Sequence, residues 1–144
     1  MSTVRKIAVP FDKSENAVHA LRHAVALIKE LGQGEVHIVH VHETALSYGR
    51  SAAYVPATKI EHDLDEESAK ILGPALAIAK EGGVTCKTAI LSGAPGEAIV
   101  HYVEENGCTG IVMGTRGISI GSMLIGSVAT KVIHLSQVPV TLVK

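Results

Sequence analysis

Apolar residues along this chain switch regularly between two periods, from short unbroken runs of Val, Ile and Ala to stretches where they return every three or four positions. Val4 to Pro10 is the first short run, bounded by Pro10 and the polar Asp12-Lys13-Ser14 cluster, and predicts a strand. Ser14 suits a helix N-cap, after which Ala17, Leu21, Ala24, Ile28 and Leu31 keep helical spacing until Gly32 and Gly34. Val36 to Val41 predicts a second strand. Glu43 to Ala57, with Tyr48, Arg50 and Tyr54, has no period and reads as a long loop of the kind that serves as a lid or stays disordered. Thr58 and Glu61 form a capping-box pattern that opens a second helix running to about Glu81, with Gly82-Gly83 as its stop. Pro74 predicts a kink in it, or two shorter helices. Val84 to Leu91 predicts a third strand, and Pro95 opens a third helix whose buried face is Ala98, Ile99, Tyr102 and Val103. Gly110 to Met113 predicts a fourth strand. Val128, Val132 and Leu135 share one face of a last helix, and Val138 to Val143 predicts a fifth strand with Pro139 near its start.

Strands and helices in strict alternation predict an α/β fold: a single doubly wound domain over residues 1–144, with a five-stranded parallel sheet and four main helices on both faces. In such folds ligands bind outside the carboxyl ends of the strands, where the strand order switches. Three pieces converge there: Pro10, Phe11 and Asp12 after the first strand, Val41 and His42 after the second, and Met113 to Gly117 after the fourth.

The third piece carries candidate chemistry. Gly114, Gly117, Gly121 and Gly126 let the backbone of the loop approach a ligand closely, and Gly126 or Ser127 stands where the last helix begins. Unpaired amides and the positive dipole end there attract an anion. Arg116 adds a positive charge, and no Asp or Glu occurs between Asn106 and Lys144. A plain strand-to-helix connection is the competing reading of the glycines alone.

This stretch resembles the nucleotide-binding signature of the universal stress protein family, GxxG followed by nine residues and then Gly-Ser or Gly-Thr. Here the sequence is Gly114-Thr115-Arg116-Gly117, then eight residues, then Gly126-Ser127, one residue shorter than the pattern. The opening VPFDKSENA is similar to the family's VPxDxSExA, and the ending GSVATKVIHLSQVPVTLVK extends the likeness over essentially the whole chain. The resemblance implies strand order 3-2-1-4-5 and an adenine nucleotide, ATP or another, with or without Mg2+, as cofactor. Asp12 and Val41 would hold the adenosine side, with Met113 and Gly114 lining the same pocket. Thr115, Arg116, Gly117, Gly126, Ser127 and Val128 would take the phosphates. It also implies a homodimer through the last strand, Val138 to Val143, and a stress-response or signalling role. Two other readings stay open: a dimeric interaction module that binds no nucleotide, which the shorter loop favours, and a slow ATP hydrolase.

Little else competes. Gly117-Ile118-Ser119-Ile120-Gly121 fits the GxSxG of serine hydrolases, but Ser119 stands some five residues past the strand end, and of the acid and His that must follow only His134 does. No P-loop Lys and no acid beyond Glu105 is available for phosphate chemistry, so no catalytic residue is assigned. His40 and His42 face one side of the second strand and His37 the other, so a metal site is not expected. His19 and His23, four apart on the first helix, read as a solvated or half-buried face. The acids Glu61, Asp63, Asp65, Glu66 and Glu67 suit the first turns of the second helix. A formal net charge of -1 gives no field to attract nucleic acid or an anionic membrane, and the longest uncharged run near the motif, Gly117 to Thr130, is too short to span a bilayer. Cys86 and Cys108, without CxxC spacing, fit reduced thiols in the cytoplasm.

Overall fold

Successive side chains of a strand point to opposite faces, and the first apolar run buries both: Ile7 and Val9 enter one cluster, Ala8 the other. In the computed structural model, which describes residues 4–42, 66–115 and 125–144, this run is β1 (Lys6–Pro10). It is followed by α1 (Glu15–Leu31), β2 (Glu35–His42), α2 (Glu66–Gly82), β3 (Thr85–Ser92), α3 (Pro95–Asn106), β4 (Gly110–Gly114), α4 (Ser127–Leu135) and β5 (Val140–Val143). Tyr48, Arg50, Tyr54, the Thr58–Glu61 capping pattern, Asp63, Asp65, Arg116, Gly117, Ser119 and Gly121 lie outside the described residues, as do the side chains of Glu66 and Glu67.

The five strands form one parallel sheet in the order β3-β2-β1-β4-β5, as expected. On one face, Ile7, Val9, Val36 and Ile38 pack under α1, through Ala17, Leu21, Ala24 and Ile28, and under α2, through Leu72, Ala75 and Ala79. On the other, Ala8, Val39, Leu91, Ile111 and Met113 meet α3, through Ala98, Ile99, Tyr102 and Val103, and α4, through Ala129 and Val132. A core on each face is why the central run of β1, Ile7, Ala8 and Val9, is apolar on both sides.

Helix ends follow their local chemistry. The Ser14 hydroxyl accepts from the Ala17 amide at 3.2 Å and caps α1, and Gly32 closes the helix in the left-handed region at φ 76°. Pro95 opens α3. Three details go beyond the sequence reading. Of the two outcomes open at Pro74, the chain takes the single helix: Pro74 lies inside α2, and the lost hydrogen bond is offset by Leu72, Ala75 and Ala79, all buried against α1 and the sheet. Leu31 and Leu135, each the last residue of its helix, are 48% and 40% exposed, although both continue the apolar spacing of their helices. The fifth strand starts two residues late. The Ser136 hydroxyl donates to the Val138 carbonyl at 2.8 Å and accepts from its amide at 3.1 Å, so Val138 belongs to a turn, and the Pro139 carbonyl is the first to bond β4.

Candidate functional site

The switch in strand order falls between β1, the central strand, and β4 beside it. Their ladder is short: Ile7 pairs with Gly110 and Ala8 with Ile111, although β1 continues to Pro10 and β4 to Gly114. Pro10 has no amide to continue it. The carboxyl ends of these strands therefore have no ladder pair between them, and the candidate residues gather around that opening.

After β1 the chain is pinned tightly. The Phe11 amide donates to the Val39 carbonyl at 2.8 Å, and His40 Nδ1 lies 3.0 Å from the Phe11 carbonyl, to which it must donate. The Phe11 side chain is buried in the first core cluster. Asp12 is exposed and its Oδ1 accepts from the Ser14 amide at 3.0 Å, an Asx turn leading into α1. Lys13 takes φ 68°, the one non-glycine residue with positive φ among those described. Such strain of about 1–3 kcal/mol persists only where the surroundings impose it, and here three hydrogen bonds do. Pro10 and Val41 are half-buried at the strand ends, and Met113 is buried in the second cluster.

After β4, two distant parts of the glycine motif come together. The Gly126 amide donates to the Thr115 carbonyl at 2.7 Å, closing the intervening segment, and the Thr115 amide donates to the Val143 carbonyl at 3.0 Å. The first amides of α4 thereby lie beside the carboxyl end of β4. Gly126 is the N-cap of α4; it offers no side-chain cap, and no acid stands in the first turn. Among the described residues no side chain caps that turn, where backbone amides and the positive end of the helix dipole favour negative charge. Gly126 itself is buried, Val128 half-buried and Ser127 exposed.

Gly114 has a packing role that the sequence reading does not assign. A Cβ there would stand 2.8 Å from the Asn16 Cβ and 3.0 Å from the Asn16 carbonyl carbon, so the end of β4 touches the first turn of α1 directly. Asn16 is itself a missed residue. It is buried, with Nδ2 donating to Thr115 Oγ1 at 3.4 Å. Its signal was weak: a polar residue among the apolar positions of the first helical turn.

A second polar cluster sits at the opposite, amino end of the sheet. His37 is buried between Glu35, 2.7 Å from Nε2, and the Tyr102 hydroxyl, 2.7 Å from Nδ1, with Lys87 at 3.6 Å from the same carboxylate. An ionised carboxylate only accepts, so Nε2 carries the proton and the tyrosine donates to Nδ1. Burial pushes the His37 pKa down, and the hydrogen bond from His37 holds Glu35 below the usual carboxylate range. Between the two histidine pKa values the unfolded chain binds the extra proton, so stability is present above pH 6.5 and is lost as pH falls below it. Glu35 adds a further loss as pH falls below 4.5. The urea midpoint is accordingly expected to drop between pH 7 and pH 5, and to drop less in His37→Gln; equal slopes in the two chains would remove His37 as the cause.

Among the described residues no group of three His, Cys, Asp or Glu can hold a metal ion. His19 and His23 are exposed, and His19 Nδ1 lies 2.9 Å from the Lys144 carbonyl. His134 is exposed on α4. Cys86 and Cys108 are free, and burial pushes the Cys108 thiol up to about 11, which keeps it unreactive. Among the described residues no helix is long and apolar enough to cross a membrane.

The family model described as the universal stress protein family matches residues 3–144. The chain belongs to the universal stress protein family. Universal stress protein YxiE of Bacillus subtilis is 38% identical over 146 residues, covering 96% of this chain and 98% of the relative. The solved structure of the MJ0577 protein of Methanocaldococcus jannaschii matches with a TM-score of 0.75 at 30% identity, covering 99% of this chain and 97% of that one. A universal stress protein solved in complex with cAMP shares the fold, with a TM-score of 0.70 at 24% identity over 99% of this chain and 98% of its own.

Proposed function

We propose that this universal stress protein is a cytoplasmic, dimeric module that binds an adenine nucleotide, ATP foremost and with or without Mg2+, in a stress-response or signalling role. The observation that carries the reading is the 2.7 Å bond from the Gly126 amide to the Thr115 carbonyl. It puts an uncapped helix N-terminus at the mouth of the switch-point opening, where phosphate charge is stabilised by backbone amides and by the dipole. Thr115, Gly126, Ser127 and Val128 surround that point, with Arg116 and Gly117 between them in sequence as further phosphate ligands. Asp12, Val41 and Gly114 border the same opening on the adenosine side; Pro10, Phe11 and Met113 build its floor. The fold is one that holds cAMP in another member of the family. For the dimer, β5 is an edge strand that pairs, among the described residues, with β4 alone; Val140 and Leu142 within it and Val138 just before it are half-buried.

One experiment tests both parts: nucleotide-stripped protein is sized by light scattering, then titrated calorimetrically with ATP and magnesium and with AMP, beside Gly117→Val. A dimer that binds ATP, with affinity down at least tenfold in the variant, supports the reading. A dimer that gives no heat with any adenine nucleotide would leave the interaction module, favoured by the eight-residue spacing, as the better account. A monomer at high concentration sinks the dimer.

A further inference from the structure

We propose that Asn16 is a positioning residue that presents the Thr115 hydroxyl to phosphate as a hydrogen-bond donor, an inference that rests on the nucleotide-binding reading above. Thr115 has four polar functions, and the fold occupies three. Its amide is bonded to the Val143 carbonyl at 3.0 Å, and its carbonyl receives the Gly126 amide at 2.7 Å. Its hydroxyl oxygen receives Asn16 Nδ2 at 3.4 Å, at the long end of hydrogen-bonding range. What remains to Thr115 is one O–H proton.

The direction of the Asn16 bond decides what the hydroxyl can do. An amide NH2 only donates, so a lone pair of Thr115 Oγ1 is held toward Asn16 and the O–H is turned away from it. Phosphate oxygens only accept. The side chain thus offers a phosphate the complementary group, polarised by the bond it receives. Asn16 is held for this task. It is 8% exposed, one of three polar or charged side chains buried among the described residues, and the absence of a Cβ at Gly114 lets the first turn of α1 approach β4 closely enough for the amide to reach. The nearby Thr130 hydroxyl cannot substitute, because it donates to the Gly126 carbonyl at 3.0 Å. Asn16 itself need not touch the ligand.

Calorimetric titration with ATP and with adenosine, on the parent, Asn16→Ala, Thr115→Val and the double variant, tests this. Asn16→Ala is expected to weaken ATP about 3- to 10-fold and adenosine less than twofold, since only the phosphate end is affected. In the Thr115→Val background the same change is expected to have no further effect on ATP. Asn16→Asp, nearly isosteric, supplies a second variant should the alanine chain fold poorly. Its carboxylate accepts the Thr115 proton and turns lone pairs toward the phosphate, so ATP binding should fall about 10- to 100-fold with adenosine intact. Unchanged ATP affinity in both Asn16 variants, an equal loss for adenosine, or an equal loss without the Thr115 hydroxyl would each overturn the inference while leaving nucleotide binding standing. A parent chain that binds neither ligand overturns both.

Discussion

Tyr102→Ala is expected to destabilise this protein by about 3–5 kcal/mol, a large part of the whole stability of a domain of this size. Tyr102 is 1% exposed in the cluster beneath α3, where its ring meets the edge of the His37 ring with centroids 5.7 Å apart. Truncation removes most of a large side chain from a packed interior that closes only partly around the gap. It also strips the buried Nδ1 of His37 of its donor and removes one end of the Glu35–His37–Tyr102 chain of bonds. The two contributions separate in Tyr102→Phe, which keeps the ring and removes only the hydroxyl. A buried acceptor left unsatisfied costs about 1–3 kcal/mol, so the phenylalanine chain should lie clearly between parent and alanine in urea unfolding. A phenylalanine chain as stable as the parent would show that the 2.7 Å bond contributes nothing net, and would reduce the network to packing.

Gly114→Ala is expected to cost about 1–3 kcal/mol and Gly114→Val more, despite the strand conformation that either residue would otherwise favour. The reason is distance. The added Cβ would meet the Asn16 Cβ at 2.8 Å and, more seriously, its backbone carbonyl carbon at 3.0 Å and oxygen at 3.2 Å. A side chain can rotate away; the first turn of a capped helix cannot do so without disturbing the bonds at Ser14. Asn16→Gly should therefore relieve only part of the damage, and the coupling between the two sites in a double-mutant cycle measures that part. Thermal unfolding of the four chains is the test. A Gly114→Ala chain that melts with the parent would mean that α1 yields easily, and would put the glycine's role back with the ligand alone.

These two residues mark where sequence reasoning reaches and where it stops. The alternation of periods was enough to expect five parallel strands with helices on both faces, because burial on both sides of a strand and on one stripe of a helix imposes those spacings wherever they occur in the chain. Caps and stops were legible for the same reason: Ser14, Gly32 and Pro95 act on their own backbone within a few residues. The glycine motif was legible as a likeness, down to the residues that meet at Thr115 and Gly126. That Leu31 and Leu135 end up exposed was not legible, because helical spacing says which face is apolar but not how much of it a neighbour covers. At Pro74 the sequence left one helix or two open, because the local penalty is legible and the packing that offsets it is not.

What the sequence determines by itself is thus what neighbours along the chain decide: the type and order of the elements, the turns between them, the absence of any strong net charge, and membership of a family. Only the tertiary structure decides which residues meet across it. That Asn16 reaches Thr115, 99 positions away, that His37 is held between Glu35 and Tyr102, and that Gly114 is a contact with α1 follow from how two helices settle on opposite faces of one sheet. No local pattern encodes such a pair, because hydrogen bonds and close contacts depend on distances of a few tenths of an ångström that packing alone sets.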